Sequence, residues 1–276
     1  RESGDRTMSE YRWIGNDHVV ATVISRENLY GQLADFRRLV AFDVKTRQSI
    51  PQAWRDAGGD AGAILHIDHD KGKYLLQRDS VANSTERWGF PEVVEVDVST
   101  GKFEMVQRTN PVVRAWAADS DGEIRAGFNS NPDDGKFRML YKADGERNFK
   151  TVYNEADETW VGSVPTPELF IPGTDMAYTI SNHDGVDKVY KMNMKTMEIV
   201  ETAFETEGFD VQGIIPSKDD SKLVGVRTFD GTMRLVWTNE NLKTVQTILD
   251  ETFGQDKATI VDWSNDFMTQ VIYVGG

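Results

Sequence analysis

Histidines, carboxylates and one Gly-Ser pair are the groups through which this 276-residue chain could do chemistry. Its four histidines are His18, His66, His69 and His183. Only His66 and His69 stand close together, at a strand end and turn, where side chains three apart seldom converge on a metal as His-x-x-x-His does on a helix. Asp68-His-Asp-Lys-Gly72 and Asp119-Ser-Asp-Gly122 have the look of calcium loops. Both lack the third acidic ligand and the closing bidentate Glu, and Asp-Gly is also what a tight hairpin turn requires. They read as turns, and the residues offer no metal, cofactor or catalytic site.

Nucleophilic chemistry fares no better. The chain has no cysteine, which removes disulfides, thiolate metal sites and cysteine nucleophiles together. Gly162-Ser-Val-Pro165 is the nearest fragment to a Gly-x-Ser-x-Gly elbow, but the second Gly and the strand-turn-helix context are missing. Glu155, Asp157 and Glu158 offer carboxylates for glycoside chemistry, yet in a chain with 45 acidic residues such a group is ordinary. Arg125 and Arg227 fall in or just after inner-strand segments. Either could reach a substrate carboxylate or a partner domain, and a cross-blade ion pair is the expectation for both. The formal net charge of −14 excludes a nucleic-acid surface, which needs excess Lys and Arg on one face. No apolar run approaches the roughly 20 residues that span a bilayer as a helix.

The elements that would position these groups come from a repeat. An apolar or Trp anchor, a polar turn and a second apolar β-prone run recur six times. The copies are Trp13-Ile-Gly-Asn-Asp-His-Val19, Ile67 to Tyr74, Trp116 to Ile124, Ile171 to Ala177, Ile215 to Leu223 and Trp263 to Val271. A second hairpin signal falls between them, at Leu39 to Arg47, Val93 to Gly101, Arg138 to Gly145, Val189 to Met197 and Arg234 to Asn241. Two hairpins every 44–55 residues make four antiparallel strands per repeat, the pattern of a β-propeller blade. A β-sandwich is the competing arrangement, but it gives no reason to reuse one hairpin in every repeat. The three repeated tryptophans, Trp13, Trp116 and Trp263, are expected to pack blade on blade.

The expected fold is therefore all-β, a β-propeller with blades at about 11–60, 61–110, 111–160, 161–206 and 207–256 and a half blade at 257–276. Helices should be scarce, the best candidate being a turn or two within Asn28 to Arg37. Residues 1–10, polar and charged apart from Met8, make a poor donor strand for completing that half blade. A closed propeller cannot end on the second strand of a sixth repeat, so further sequence is expected on one or both sides.

Several segments resemble a known family. Ile215-Pro-Ser-Lys-Asp-Asp-Ser-Lys-Leu223 is similar to the Ser-Pro-Asp-Gly-Lys hairpin of TolB-like propellers. Trp13-Ile-Gly-Asn-Asp-His-Val-Val20, Val96-Asp-Val-Ser-Thr-Gly-Lys102, Asp121-Gly-Glu-Ile-Arg-Ala-Gly127 and Val261-Asp-Trp-Ser-Asn-Asp266 resemble bacterial prolyl oligopeptidase family peptidases of the acylaminoacyl-peptidase or dipeptidyl-peptidase type. The resemblance implies the N-terminal propeller of a two-domain serine peptidase, part of a seven-bladed parent, partnered by an α/β-hydrolase domain downstream and acting on short peptides. It also implies an export signal upstream and a periplasmic location. A free-standing TolB-like interaction scaffold is the alternative, and a carbohydrate-active propeller enzyme is a third.

Overall fold

The structure, a computed structural model, describes residues 6–29, 31–80, 90–130, 136–155 and 163–275. The first sheet is an antiparallel meander of β1 (Arg6–Ile14), β2 (His18–Leu29), β3 (Gln32–Asp43) and β4 (Ser49–Gln52). The second repeats it with β5 (Ala63–Asp68), β6 (Lys73–Arg78), β7 (Glu92–Asp97) and β8 (Phe103–Gln107). The third has β9 (Ala115–Ala118), β10 (Ile124–Ser130), β11 (Phe137–Tyr141) and β12 (Lys150–Asn154). The fourth has β13 (Pro167–Phe170), β14 (Met176–Ser181), β15 (Lys188–Asn193) and β16 (Glu198–Phe204). A fifth sheet has three strands, β17 (Val211–Pro216), β18 (Leu223–Phe229) and β19 (Met233–Trp237), followed by helix α1 (Glu240–Phe253). The hairpin β20 (Ala258–Trp263) and β21 (Gln270–Val274) comes last. Sequential four-stranded antiparallel meanders are propeller blades, and the fold class is all-β propeller.

Local chemistry explains the meander. Each first-hairpin motif sits on the turn between the first two strands of a sheet, and the second-hairpin motifs close the third strand. In three sheets the second turn is built alike. The Asp43 carboxylate accepts from Lys45 and Thr46 backbone N–H groups at 2.8 and 3.0 Å, Asp97 from Thr100 at 3.0 Å, and the Asn193 side-chain oxygen from Lys195 and Thr196 at 3.0 and 3.2 Å. Four residues after each stands a left-handed residue, Arg47 (φ 60°), Gly101 (φ 67°) or Met197 (φ 59°). Side-chain capping of a turn followed by a positive φ sends the chain straight back along its own strand.

Two of the expectations change. Asn28 to Arg37 is not helical; it is the tip of the β2–β3 hairpin, where the Asn28 side-chain oxygen accepts from Gly31 N–H at 2.8 Å. The fifth sheet ends in α1 where a fourth strand was expected. Asn239 caps the helix by accepting from the N–H groups of Asn241 and Leu242, both at 3.1 Å, and Leu242, Val245 and Leu249 pack against Trp237 and Ile260. The capping Asn and that apolar spacing are visible in the sequence, but the strand signal of Arg234 to Trp237 runs directly into them. Residues 6–10 belong to β1 and pair with Thr22 to Ser25 of β2, with a register shift between Met8 and Glu10.

The chain divides into two compact units, Arg1–Leu140 and Tyr141–Gly276. In the first, Ile14, Val20, Leu39 and Ala41 of the first sheet interlock with Tyr74, Leu76, Val94, Val96 and Val98 of the second. In the second, Leu169 and Val189 meet Val211, Ile214 and Val226, while Ile215, Val224 and Trp237 meet Leu242 and Ile260. Val and Ile dominate these faces because branched side chains fill a pleated surface with little loss of rotamer freedom.

Candidate functional site

The groups singled out by chemistry are dispersed. His18 opens β2, half-buried, with a buried Nε2 that lacks a hydrogen-bond partner among the described residues. His66 lies on β5 against Gly122, His69 is exposed in the following turn, and His183 is exposed in another. Among the described residues no three His, Asp or Glu side chains gather as metal ligands. The calcium-like loops are occupied as turns. Lys71 donates to Asp68 through its backbone at 2.9 Å and its ammonium at 2.7 Å, and the ammonium contact holds the Asp68 carboxyl below the usual range. Asp119 accepts from the N–H groups of Asp121 and Glu123 at 3.1 and 2.9 Å through one oxygen and from Arg125 at 3.0 Å through the other.

Ser163 is exposed, and both its N–H and its Oγ approach the carboxamide oxygen of Asn182, at 2.7 and 3.3 Å. An amide oxygen is no general base, so this hydroxyl has no activating partner there. Glu155 is exposed just after β12, whereas Asp157, Glu158 and Gly162 lie outside the described residues. Arg125 is buried and pairs with Asp119 of its own hairpin at 3.0 Å. Arg227 is exposed on β18 with no ion pair within 4.0 Å among the described residues, so the cross-blade pair expected for it is absent there. The tryptophans divide as well. Trp116 is buried to 3% exposure with its indole N–H on the Pro91 carbonyl at 3.0 Å, and Trp263 stacks edge-on to Trp237 at 5.4 Å. Trp13 is 50% exposed, on the face of β1 opposite the buried Ile14.

A cleft of about 480 Å³ lies in the first unit. One wall is the face of β1 and β2 carrying Glu10, Arg12, Val20, Thr22 and Ile24, and the other is the Gly62-Ala63-Ile64 segment that opens β5. Pairing of Arg12 with Val20 and of Glu10 with Thr22 places these side chains on one face of the sheet. Gly62 keeps the far wall close, since a Cβ there would meet Thr22 Cγ2 and Arg37 Cβ, each at 3.4 Å. Arg37 and Asp60 pair across the rim at 3.0 Å. Sequence reasoning passed over Glu10, Arg12, Arg37, Asp60 and Gly62; the one available signal was the opposite charges two apart in a β-period run, Glu10 and Arg12.

Behind Asp60, the Asp79 carboxyl is pushed above the usual carboxylate range, first by burial and then by the charge of Asp60. Its folded pKa lies above its unfolded one, so ionisation weakens the fold at neutral pH and the penalty fades as pH drops through the folded and then the unfolded value. Asp79→Asn is expected to raise the thermal midpoint at pH 7 and to give no gain near pH 3; a gain that persisted unchanged at pH 3 would remove the carboxyl as its cause.

Comparison with protein families finds no match, and comparison with curated proteins finds none either. Among solved structures the chain is similar to acylaminoacyl peptidase of Pyrococcus horikoshii, with 13% identity, 94% of this chain and 41% of that one covered, and a TM-score of 0.49. It is similar to the β-propeller domain of the Trilobed protease from Pyrococcus furiosus, at 11% identity, 85% and 82% coverage and a TM-score of 0.45. TolB from Acinetobacter baumannii gives 13% identity, 64% and 39% coverage and a TM-score of 0.38. The chain thus spans about two fifths of the length of the peptidase and of this TolB.

Proposed function

We propose that the chain is the non-catalytic propeller portion of a serine peptidase of the prolyl oligopeptidase family, restricting access to an α/β-hydrolase domain of the same, seven-bladed parent. The observation that supports it is where the family-like motifs fall. Trp13–Val20, Asp121–Gly127 and Val261–Asp266 each lie on a first hairpin, and Val96–Lys102 on a second one. Motifs that recur at one structural place per blade are what a repeated ancestral unit leaves behind. The role is steric: an opening bounded by blade edges admits an unfolded oligopeptide and rejects a folded domain.

The parent protein is expected to be labelled by a fluorophosphonate and to cleave short peptides much faster than folded proteins. The 276-residue chain alone should hydrolyse neither peptides nor esters. Absence of labelling, or equal rates on folded and short substrates, would overturn the reading. One feature favours a TolB-like interaction scaffold instead. In the Ile215–Leu223 hairpin, Ser217 Oγ accepts from Lys222 N–H at 3.0 Å and donates to Asp219 at 2.5 Å, a compact form of the TolB-like turn. A parent reading frame without Gly-x-Ser-x-Gly downstream would decide for that scaffold.

A further inference from the structure

The first strand is an exposed edge that carries charge. β1 is the edge of its sheet, paired only with β2, and all of Arg6 to Trp13 is exposed. An edge strand presents a row of unpaired backbone N–H and C=O groups, and such edges are ordinarily blunted by proline, shortness, charge or a β-bulge. β1 has nine residues and no proline, and beyond the register shift between Met8 and Glu10 its stretch from Glu10 to Ile14 is regular.

Its side chains divide into two faces. Tyr11, 68% exposed, and Trp13 form an aromatic side. Glu10 and Arg12 face the cleft, and among the described residues neither has an ion-pair partner within 4.0 Å, whereas Arg37 in the same cleft already holds Asp60. A guanidinium left unpaired beside an apolar floor of Val20, Ile24, Ala63 and Ile64 is a receptor for a carboxylate. The volume lies within the range of small-ligand sites, roughly 300–1,000 Å³.

We propose that β1 binds an extended oligopeptide by strand addition, the peptide's backbone pairing along Glu10–Trp13 and its carboxylate seated on Arg12 in the cleft. Strand addition takes affinity from the main chain and specificity from alternate side-chain pockets, so any unfolded peptide that ends in the cleft would fit. The inference rests on the proposed peptide-gating role, but its test reads binding alone, so its failure would leave the fluorophosphonate result on the parent untouched.

The probe is the tetrapeptide Thr-Val-Thr-Val with a free C-terminus, titrated into the ¹⁵N-labelled chain. Amide shifts are expected to saturate along Tyr11, Arg12 and Trp13. C-terminal amidation should weaken binding to the unaltered chain roughly three- to fivefold, the worth of an exposed charge pair. In Arg12→Gln, whose side chain is exposed and whose fold should be unaffected, amidation should cost nothing further. N-methylation of alternate probe amides should abolish binding to both. Unsaturable shifts, or an equal amidation cost in Arg12→Gln, would overturn the proposal. So would β1 shifts that depend on protein concentration without probe, because a second copy of the chain would then hold the edge.

Discussion

Glu92→Ala is expected to destabilise the first unit by about 3–5 kcal/mol, read as a shifted urea midpoint at unchanged slope. Arg78 and Glu92 form a buried ion pair, with side chains 3% and 6% exposed, across β6 and β7. The guanidinium is held on every side: Nε and Nη2 donate to one Glu92 oxygen at 3.0 and 2.8 Å, and Nη1 donates to the carbonyls of Ala53 and Arg55 at 2.6 and 2.9 Å. Phe103 covers its face at 4.1 Å. Removing the carboxylate leaves a buried, uncompensated cation, which is far worse than losing an exposed pair such as Arg26–Asp35, worth under about 1 kcal/mol. Because both bonds end on a single oxygen, Glu92→Gln can keep them and lose only the charge. It should cost distinctly less than Glu92→Ala. A loss below about 1 kcal/mol for Glu92→Ala would mean that the two carbonyls and the ring suffice to hold the cation.

Gly101→Ala is expected to cost about 3 kcal/mol or more, a penalty set by packing and not by backbone preference. Arg47 and Met197 occupy the same turn position with φ of 60° and 59°, so a side chain tolerates that conformation in two sister blades. At Gly101 a Cβ would stand 2.0 Å from the Pro51 carbonyl oxygen of β4. Moving either backbone breaks the Ala53 N–H bond to the Gly101 carbonyl at 3.1 Å and disturbs Gln52, fully buried with its amide on Val98 O at 3.1 Å. Gly72→Ala is the control. It has a matching φ of 62° in the same blade, but its nearest would-be contact is Val98 Cγ1 at 3.6 Å, so it should cost only about 1 kcal/mol. Equal losses at the two sites would show that the positive φ alone accounts for both.

The repeated hairpins were legible because turn chemistry is local. An Asp or Asn side chain reaches N–H groups two and three residues on, and those residues are adjacent in sequence. Helix α1 was missed for a related reason: its Asn239 cap follows Trp237 so closely that strand and helix signals overlap. Its amphipathic face has meaning only once Trp237 and Ile260 are there to receive it. The Arg78–Glu92 pair was invisible because its partners are 14 residues apart and meet only through the β6–β7 register. Trp13 shows the limit of repetition. It holds the same motif position as Trp116, yet one is exposed and the other buried, because neighbouring backbone covers only Trp116.

The residue order by itself determined the all-β class, the two hairpins in each repeat and the lack of a nucleophile elbow or any thiol chemistry, since period, turn type and composition are properties of short stretches. Tertiary structure alone decided which equivalent positions are buried, which glycine is indispensable, and that Glu10 and Arg12 stand on an exposed edge strand beside a cleft with no ion-pair partner among the described residues. Burial and charge pairing depend on neighbours brought together from tens of residues away, and no local pattern encodes them.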